Sequence, residues 1–180
     1  MQWEVEIIKF FQSSQTPFFD LFFWLFSFFA SFVGAILLFV FFYFFSTKKF
    51  SLFYGICTSL NVGLNYILKI IINRPRPYEV DFDIINKAQA LGRSFPSGHM
   101  MCFTTMVFFV LLFIFQKYKS KQVKIISLIF CTLLLVCVGI SRMYFGQHYI
   151  TDLVAGLCLA IIFCCIEWVV YKKFFRQDKN

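Results

Sequence analysis

A chain of 180 residues has room for one compact unit or two small ones, and its composition excludes most soluble architectures. Hydrophobic residues make up 60% of it, 29 residues are Phe, and only 14% are charged, against ~25% in an ordinary soluble domain, whose interior at this size cannot hide so much apolar surface. The formal net charge of +8 does not point to nucleic acid, because the basic residues are spread through short connections, as in membrane proteins whose Lys and Arg hold loops in the cytoplasm.

In chain order, residues 3–12 place Trp3, Ile7, Phe10 and Phe11 at helical spacing, with Glu4, Glu6 and Lys9 between them. This predicts a short helix lying on the membrane surface, although the same residues also fit a strand-like alternation. The segment lacks the basic start and short apolar core of a secretory signal. Five long apolar runs follow, at 21–45, 52–72, 96–115, 123–140 and 150–171, set against the ~20 residues that a helix needs to cross a bilayer. The third opens with Pro96, suited to a first helical position. Alternating ten-residue segments of a barrel are absent. The expected fold is therefore an all-α integral membrane bundle of five transmembrane helices behind an N-terminal interfacial helix. It becomes six if that helix enters the membrane. No internal repeat divides residues 1–180, which read as a single domain. The seven cysteines stand in apolar stretches at irregular spacing, as small apolar side chains rather than a disulfide or metal framework.

The connections alternate between two sides. One set, 44–51, 116–122 and the C-terminal tail, with Lys124 at the helix edge, carries Lys48, Lys49, Lys117, Lys119, Lys121, Lys124, Lys172, Lys173, Arg176 and Lys179 against the single acid Asp178. The other set, the N-terminal segment, 73–95 and 141–149, with Lys69 at its border, carries Lys9, Lys69, Arg74, Arg76, Lys87, Arg93 and Arg142. The bias assigns the first set to the cytoplasm and the second to the outer face.

The one long connection, 73–95, is where the chemistry collects, as long loops in compact domains commonly do. It opens with Arg74-Pro75-Arg76-Pro77 and runs into Pro96-Ser97-Gly98-His99. The only other histidine, His148, belongs to a connection on the same side, so both histidines share one membrane face with Lys69, Arg76 and Arg142. The local physics is that of an anion site. Gly98 admits close backbone approach, and a helix opening at Pro96 points unpaired N–H groups outward. Ser97 adds a hydroxyl, and two guanidinium forks with one ammonium match phosphate oxygens. His148 and Asp152, four residues apart, share a helical face. A carboxylate there can hold the imidazole tautomer and free the other ring nitrogen for attack, leaving His99 as an acid for the departing oxygen.

Lys69, six residues, Arg76-Pro77; Pro96-Ser97-Gly98-His99; and Ser141-Arg142, five residues, His148, three residues, Asp152: these blocks resemble the three-part signature of the type 2 phosphatidic acid phosphatase superfamily, shared with vanadium haloperoxidases. The signature covers residues 69 to 152 without departure from the pattern, and the five-span layout resembles small bacterial members over nearly the whole chain. The resemblance implies that His148 is the nucleophile, Asp152 its orienter and His99 the acid that later activates water. Lys69, Arg76, Ser97, Gly98 and Arg142 would hold the phosphate oxygens, with no metal or other cofactor. It implies a lipid phosphate or pyrophosphate substrate reached from the surrounding membrane lipids, and no nucleic-acid partner.

Undecaprenyl pyrophosphate, the cell-wall carrier lipid, is the expected substrate, at the outer face of a bacterial plasma membrane. Phosphatidylglycerophosphate or phosphatidic acid is the runner-up. A vanadium haloperoxidase or a non-catalytic lipid-binding or transport protein are the other classes. Around the motifs, Arg74 and Arg93 are read either as solvated loop residues or as part of the site, and Ser141 either as a helix cap or as a phosphate contact. Glu79, Asp81 and Asp83 read as a solvated, charge-balancing acidic run rather than a metal loop. Asp20 and Glu167 are expected to reach headgroups or water, and the Phe residues to face lipid.

Overall fold

The structure, a computed structural model, describes residues 2–88 and 92–175; Arg176, Asp178 and Lys179 of the basic tail lie outside them. Eight helices follow one another: α1 (Gln2–Gln12), α2 (Pro17–Phe29), α3 (Phe32–Phe45), α4 (Lys48–Ile72), α5 (Pro77–Val80), α6 (Gly98–Lys117), α7 (Lys121–Tyr144) and α8 (Ile150–Phe175). Helices α4, α6, α7 and α8 are long and apolar enough to span a membrane, and α2 with α3 makes a fifth, bent span. The chain is an all-helical integral membrane protein, as its apolar runs predict.

The 54° bend between α2 and α3 replaces the single helix expected over 21–45. Ser31 causes it locally: its side chain accepts from Val33 N at 3.2 Å and donates to Phe28 O at 2.6 Å, capping α3 while α2 ends at Ala30. Gly34 makes room for it, since a Cβ there would lie 1.8 Å from the Phe29 carbonyl oxygen. Helix α6 also departs from expectation. It starts at Gly98, with Ser97 as its N-cap, and Pro96 stands outside it. Helix α7 is longer than the apolar run 123–140 at both ends, because Ser120 caps its start and Arg142 is buried near its end. Helix α4 stops where the site begins: Asn73 takes a left-handed conformation (φ 51°) and its N–H closes on Lys69 O, a role Asn tolerates better than most residues.

Helix α1 settles the helix-or-strand ambiguity. Glu4 and Ile8, one turn apart, are buried, while Trp3 and Phe10 are exposed. The helix packs on α7.

Between helices in lipid, association rests on close packing and interhelical hydrogen bonds more than on the hydrophobic effect. Tyr54 donates to Ala35 O at 3.1 Å across α3 and α4, and Asn65 donates to Pro96 O at 3.1 Å. Phe42, Phe50, Tyr54 and Phe109 form an edge-to-face cluster with centroids 5.1 to 5.7 Å apart. The Phe content is thus partly core, with Phe42 and Phe109 fully buried, and not lipid-facing bulk alone. All seven cysteines are free.

Candidate active site

The α4–α6 connection and the α7–α8 connection meet at one end of the bundle, around a cavity of about 650 Å³. Lys69, Arg76, Gly98, His99, Arg142 and His148 line it. These six residues come from three separate stretches of sequence, so the fold gathers what the motifs announced.

Each cation is held by a different device. Lys69 projects from the last turn of α4, and its ammonium donates to the carbonyl of Arg93 and, at 3.5 Å, to that of Ser94. Arg76 is 2% exposed. Its Nε donates to Gly92 O at 2.8 Å, and its Nη1 donates at 3.0 Å to both the carbonyl and the side-chain oxygen of Gln147. Arg142, near the end of α7, donates from Nη1 to Ser27 Oγ at 2.8 Å, while its buried Nε has no hydrogen-bond partner among the described residues. An unpaired donor on a buried cation is costly, and its place at the cavity suits an anionic ligand.

Ser97 does not line the cavity. It is fully buried, its hydroxyl accepts from Met100 N at 3.4 Å, and its N–H donates to Asp152 O at 3.1 Å. Its contribution is to end the loop and open α6, leaving the N–H groups of Gly98 and His99 without partners inside the helix. At Gly98 a Cβ would stand 3.1 Å from Asn65 Oδ1, so what the missing side chain admits is Asn65. Gly146 is needed for the turn that presents His148: its φ is +70°, and a Cβ there would meet Ile84 and the Ile85 carbonyl oxygen at 2.8 Å.

His148 and Asp152 do pair, although His148 lies before α8 rather than within it. His148 Nδ1 is 3.6 Å from Asp152 Oδ2, longer than the ~2.7–3.2 Å of a made hydrogen bond and of the kind that tightens around a bound substrate. Asp152 is itself fixed from several sides. Oδ2 accepts from the Ser94 hydroxyl and from Tyr149 N at 2.9 Å, and Oδ1 accepts from Arg74 Nη1 at 2.6 Å. Burial pushes the His148 imidazole down to about 3, with Arg76, Arg142 and Lys69 acting in the same direction and Asp152 opposing them. The ring therefore stands neutral, and the Asp152 side favours a proton on Nδ1 and a free lone pair on Nε2.

The flanking residues depart from several expectations. Arg74 is no solvated loop residue: it bridges Asp152 and Glu4. Arg93 lies 3.6 Å from Glu79. Asp81 and Asp83 pair with Lys9 at 3.0 and 2.8 Å, so the acidic run is charge-balanced by α1. Ser141 neither caps a helix nor faces the cavity; within α7 it donates to Val138 O at 2.7 Å and lies 3.1 Å from Ser27 Oγ. Asp20 reaches Lys87 at 2.9 Å and the Tyr144 hydroxyl at 2.6 Å. Glu167 accepts from Asn61 at 3.4 Å inside the bundle. Gln147, Ser94 and Ser27 stand outside the sequence motifs. Gln147 and Ser94 adjoin the motifs, and that adjacency was the only signal available.

The structure is that of an all-helical membrane protein that gathers three cations and two histidines around one cavity at one end of its bundle. The chain belongs to the PAP2 superfamily, whose family model matches residues 48–176. It is 35% identical over 102 residues to phosphatidylglycerophosphatase B of Bacillus subtilis (strain 168), a match covering 55% of this chain and about half, 47%, of that relative. Its fold matches the crystal structure of a transmembrane PAP2 type phosphatidylglycerolphosphate phosphatase from Bacillus subtilis with a TM-score of 0.83 and 23% identity, over 97% of this chain and 87% of the other. It also matches that of Aquifex aeolicus LpxE with a TM-score of 0.72 and 25% identity, over 91% and 93%.

Proposed function

We propose that this protein is a membrane lipid phosphatase that hydrolyses a lipid phosphomonoester or pyrophosphate through a phosphohistidine on His148. The observation that carries the reading is the single cavity lined by Lys69, Arg76, Arg142, His99 and His148, with Asp152 behind the His148 ring. In the first step His148 Nε2 attacks phosphorus, the bond to the leaving oxygen breaks, and His99 gives that oxygen its proton. The imidazole becomes cationic as the N–P bond forms, and the Asp152 carboxylate stabilises that charge through Nδ1–H. His99 then takes a proton from water, whose oxygen attacks phosphorus as the N–P bond breaks, releasing phosphate and returning His148 to its neutral form. Lys69, Arg76, Arg142 and the N-terminus of α6 hold the three phosphoryl oxygens throughout, supplying charge stabilisation without a metal.

The relatives' names favour phosphatidylglycerophosphate among lipid phosphates. A polyprenyl pyrophosphate such as undecaprenyl pyrophosphate fits the same cavity chemistry and an outer-face site. Phosphate release by the detergent-solubilised protein from phosphatidylglycerophosphate, polyprenyl pyrophosphate, phosphatidate and lipid A tests the reading and ranks the substrates. Radiolabelled substrate should leave an acid-labile label on the wild type and none on His148→Ala, whose turnover should vanish. Near-full activity in His148→Ala overturns the mechanism, and no release from any lipid phosphate favours a non-catalytic lipid-binding protein.

A further inference from the structure

We propose that Glu4 and Arg74 are positioning residues for Asp152, so that the N-terminal helix is part of the catalytic apparatus; this rests on the phosphohistidine reading above. Glu4 is 3% exposed, and a carboxylate is not buried without partners. Its partners lead to the site. Oε2 accepts from Arg74 Nη2 at 3.0 Å, and Oε1 accepts from the Thr151 hydroxyl at 2.6 Å and from Thr151 N at 3.3 Å. Arg74 in turn donates from Nη1 to Thr151 Oγ1 at 2.7 Å and to Asp152 Oδ1 at 2.6 Å, with its guanidinium 4.1 Å from the centre of the Tyr149 ring. Glu4, Arg74 and Thr151 close a ring, and Arg74 ties it to the Asp152 carboxylate that faces His148.

Two consequences follow for the covalent step. Arg74 occupies the carboxylate oxygen turned away from the imidazole, which stops the carboxyl group from rotating and aims Oδ2 at His148 Nδ1. Arg74 alone, however, would cancel the charge of Asp152 just when a cationic phosphohistidine needs it. Glu4 restores that charge: two carboxylates and one guanidinium leave a net −1 beside the ring. The cations facing His148 from the other elements, Lys69, Arg76 and Arg142, are then left for the phosphate.

The test is a pair of double-mutant cycles, because a residue acting through Asp152 has nothing left to act on once the carboxylate is gone. Glu4→Gln and Arg74→Gln are made alone and with Asp152→Asn, and kcat and KM for phosphate release are measured alongside melting in detergent. Each single change is expected to lower kcat about tenfold or more with KM nearly unchanged, as for an interaction expressed in the transition state. Arg74→Lys should recover part of the loss. In Asp152→Asn, neither change should cost more than about twofold. Equal losses in both backgrounds mark a merely structural role and overturn the proposal. A readout that needs no turnover separates it from the phosphatase reading: the ring-nitrogen NMR signals of His148, in a chain with two histidines. Loss of the Nδ1–H tautomer in Arg74→Gln supports the positioning role even where the wild type releases no phosphate, and a tautomer unmoved by both substitutions overturns it.

Discussion

Arg76 and Gln147 form a two-point clasp: Arg76 Nη1 donates at 3.0 Å to both the carbonyl oxygen and the Oε1 of Gln147. The Gln147 amide nitrogen is anchored in the long connection, donating to Asn86 Oδ1 at 2.6 Å and to Ala88 O at 2.7 Å. The residue next to the proposed nucleophile thus holds the arginine proposed to bind phosphate and ties down the loop that carries it. Gln147→Ala keeps the carbonyl contact and loses the rest. A hydrogen bond to a charged group is worth ~1.5–3 kcal/mol, so KM for the lipid phosphate should rise by about tenfold or more, with a smaller change in kcat. A KM within about twofold of the wild type, in protein that still melts cooperatively, would show that Arg76 is positioned without Gln147.

What was legible in the sequence follows the range of the interactions. Lys69 with Arg76, Ser97 through His99, and Arg142 with His148 and Asp152 each sit within one short stretch, so their spacing encodes their convergence. Glu4 and Gln147 act differently. Glu4 meets Arg74 and Thr151 at separations of 70 and 147 residues, and no local pattern distinguishes it from Glu6, which is exposed. The run 21–45 is apolar throughout and gives no period change at Ala30–Ser31. Its break depends on Ser31 capping α3 and on Gly34 accepting the Phe29 carbonyl, and both residue types are common inside ordinary spanning helices. Pro96 misled for a physical reason as well: the helix needed a side-chain cap, and Ser97 supplies one that a start at Pro96 would have lacked.

The protonation of His148 gives a prediction with a definite sign. Burial and the positive charges of Lys69, Arg76 and Arg142 lower its proton affinity, while Asp152 raises it, leaving it at about 3. A histidine shifted down stays neutral, and hence nucleophilic, well below the ordinary value near 6.5. The unfolded chain binds that proton first, so the stability of the protein should fall as pH drops from about 6.5 toward the folded value, by at most ~1.4 kcal/mol per unit for this one proton. Histidine ring NMR against pH checks the first point directly, with His99→Gln for assignment. Lys69→Met should move the His148 titration upward by removing a neighbouring positive charge, and Asp152→Asn should move it downward. A His148 midpoint near 6.5 in the folded protein contradicts the electrostatic account.

The charge stabilisation proposed for the site is supplied by side chains and a helix N-terminus, and it should therefore survive chelation. Vanadate, which takes up the five-coordinate geometry of phosphorus in flight, should inhibit competitively by filling the cavity between Lys69, Arg76 and Arg142. Loss of Ser27-held Arg142 as Arg142→Gln should weaken that inhibition by about tenfold or more, since it removes a buried charged donor. Activity lost in chelator and recovered with magnesium is the result that would reject this arrangement.

The side of the membrane on which the site opens follows from counting cations once their roles are known. One set of connections carries ten Lys and Arg residues and the other seven, by the positions named above. On the lighter side Lys69, Arg76 and Arg142 line the cavity, and Arg74 is held by Glu4 and Asp152. The three that remain, Lys9, Lys87 and Arg93, each lie against an acid: Asp81 and Asp83, Asp20, and Glu79. Orientation follows Lys and Arg in short loops, and ten against three is a stronger bias than ten against seven. On the heavier side Lys48, Lys117, Lys124 and Lys172 lie over aromatic rings at 5.1 to 5.8 Å, the pairing of cation and aromatic belt found at a membrane surface, and the anionic inner leaflet favours them there. The cavity is therefore expected to open to the outer face. In a chain cleared of its native cysteines, Phe82→Cys, at a position 94% exposed beside the site, should react with a membrane-impermeant thiol reagent in right-side-out vesicles. Lys119→Cys, in the connection between α6 and α7, should react only after the vesicles are opened. The reverse pattern would place phosphate release in the cytoplasm and remove the outer-leaflet pyrophosphate carrier from the candidate substrates, leaving the chemistry at His148 unchanged.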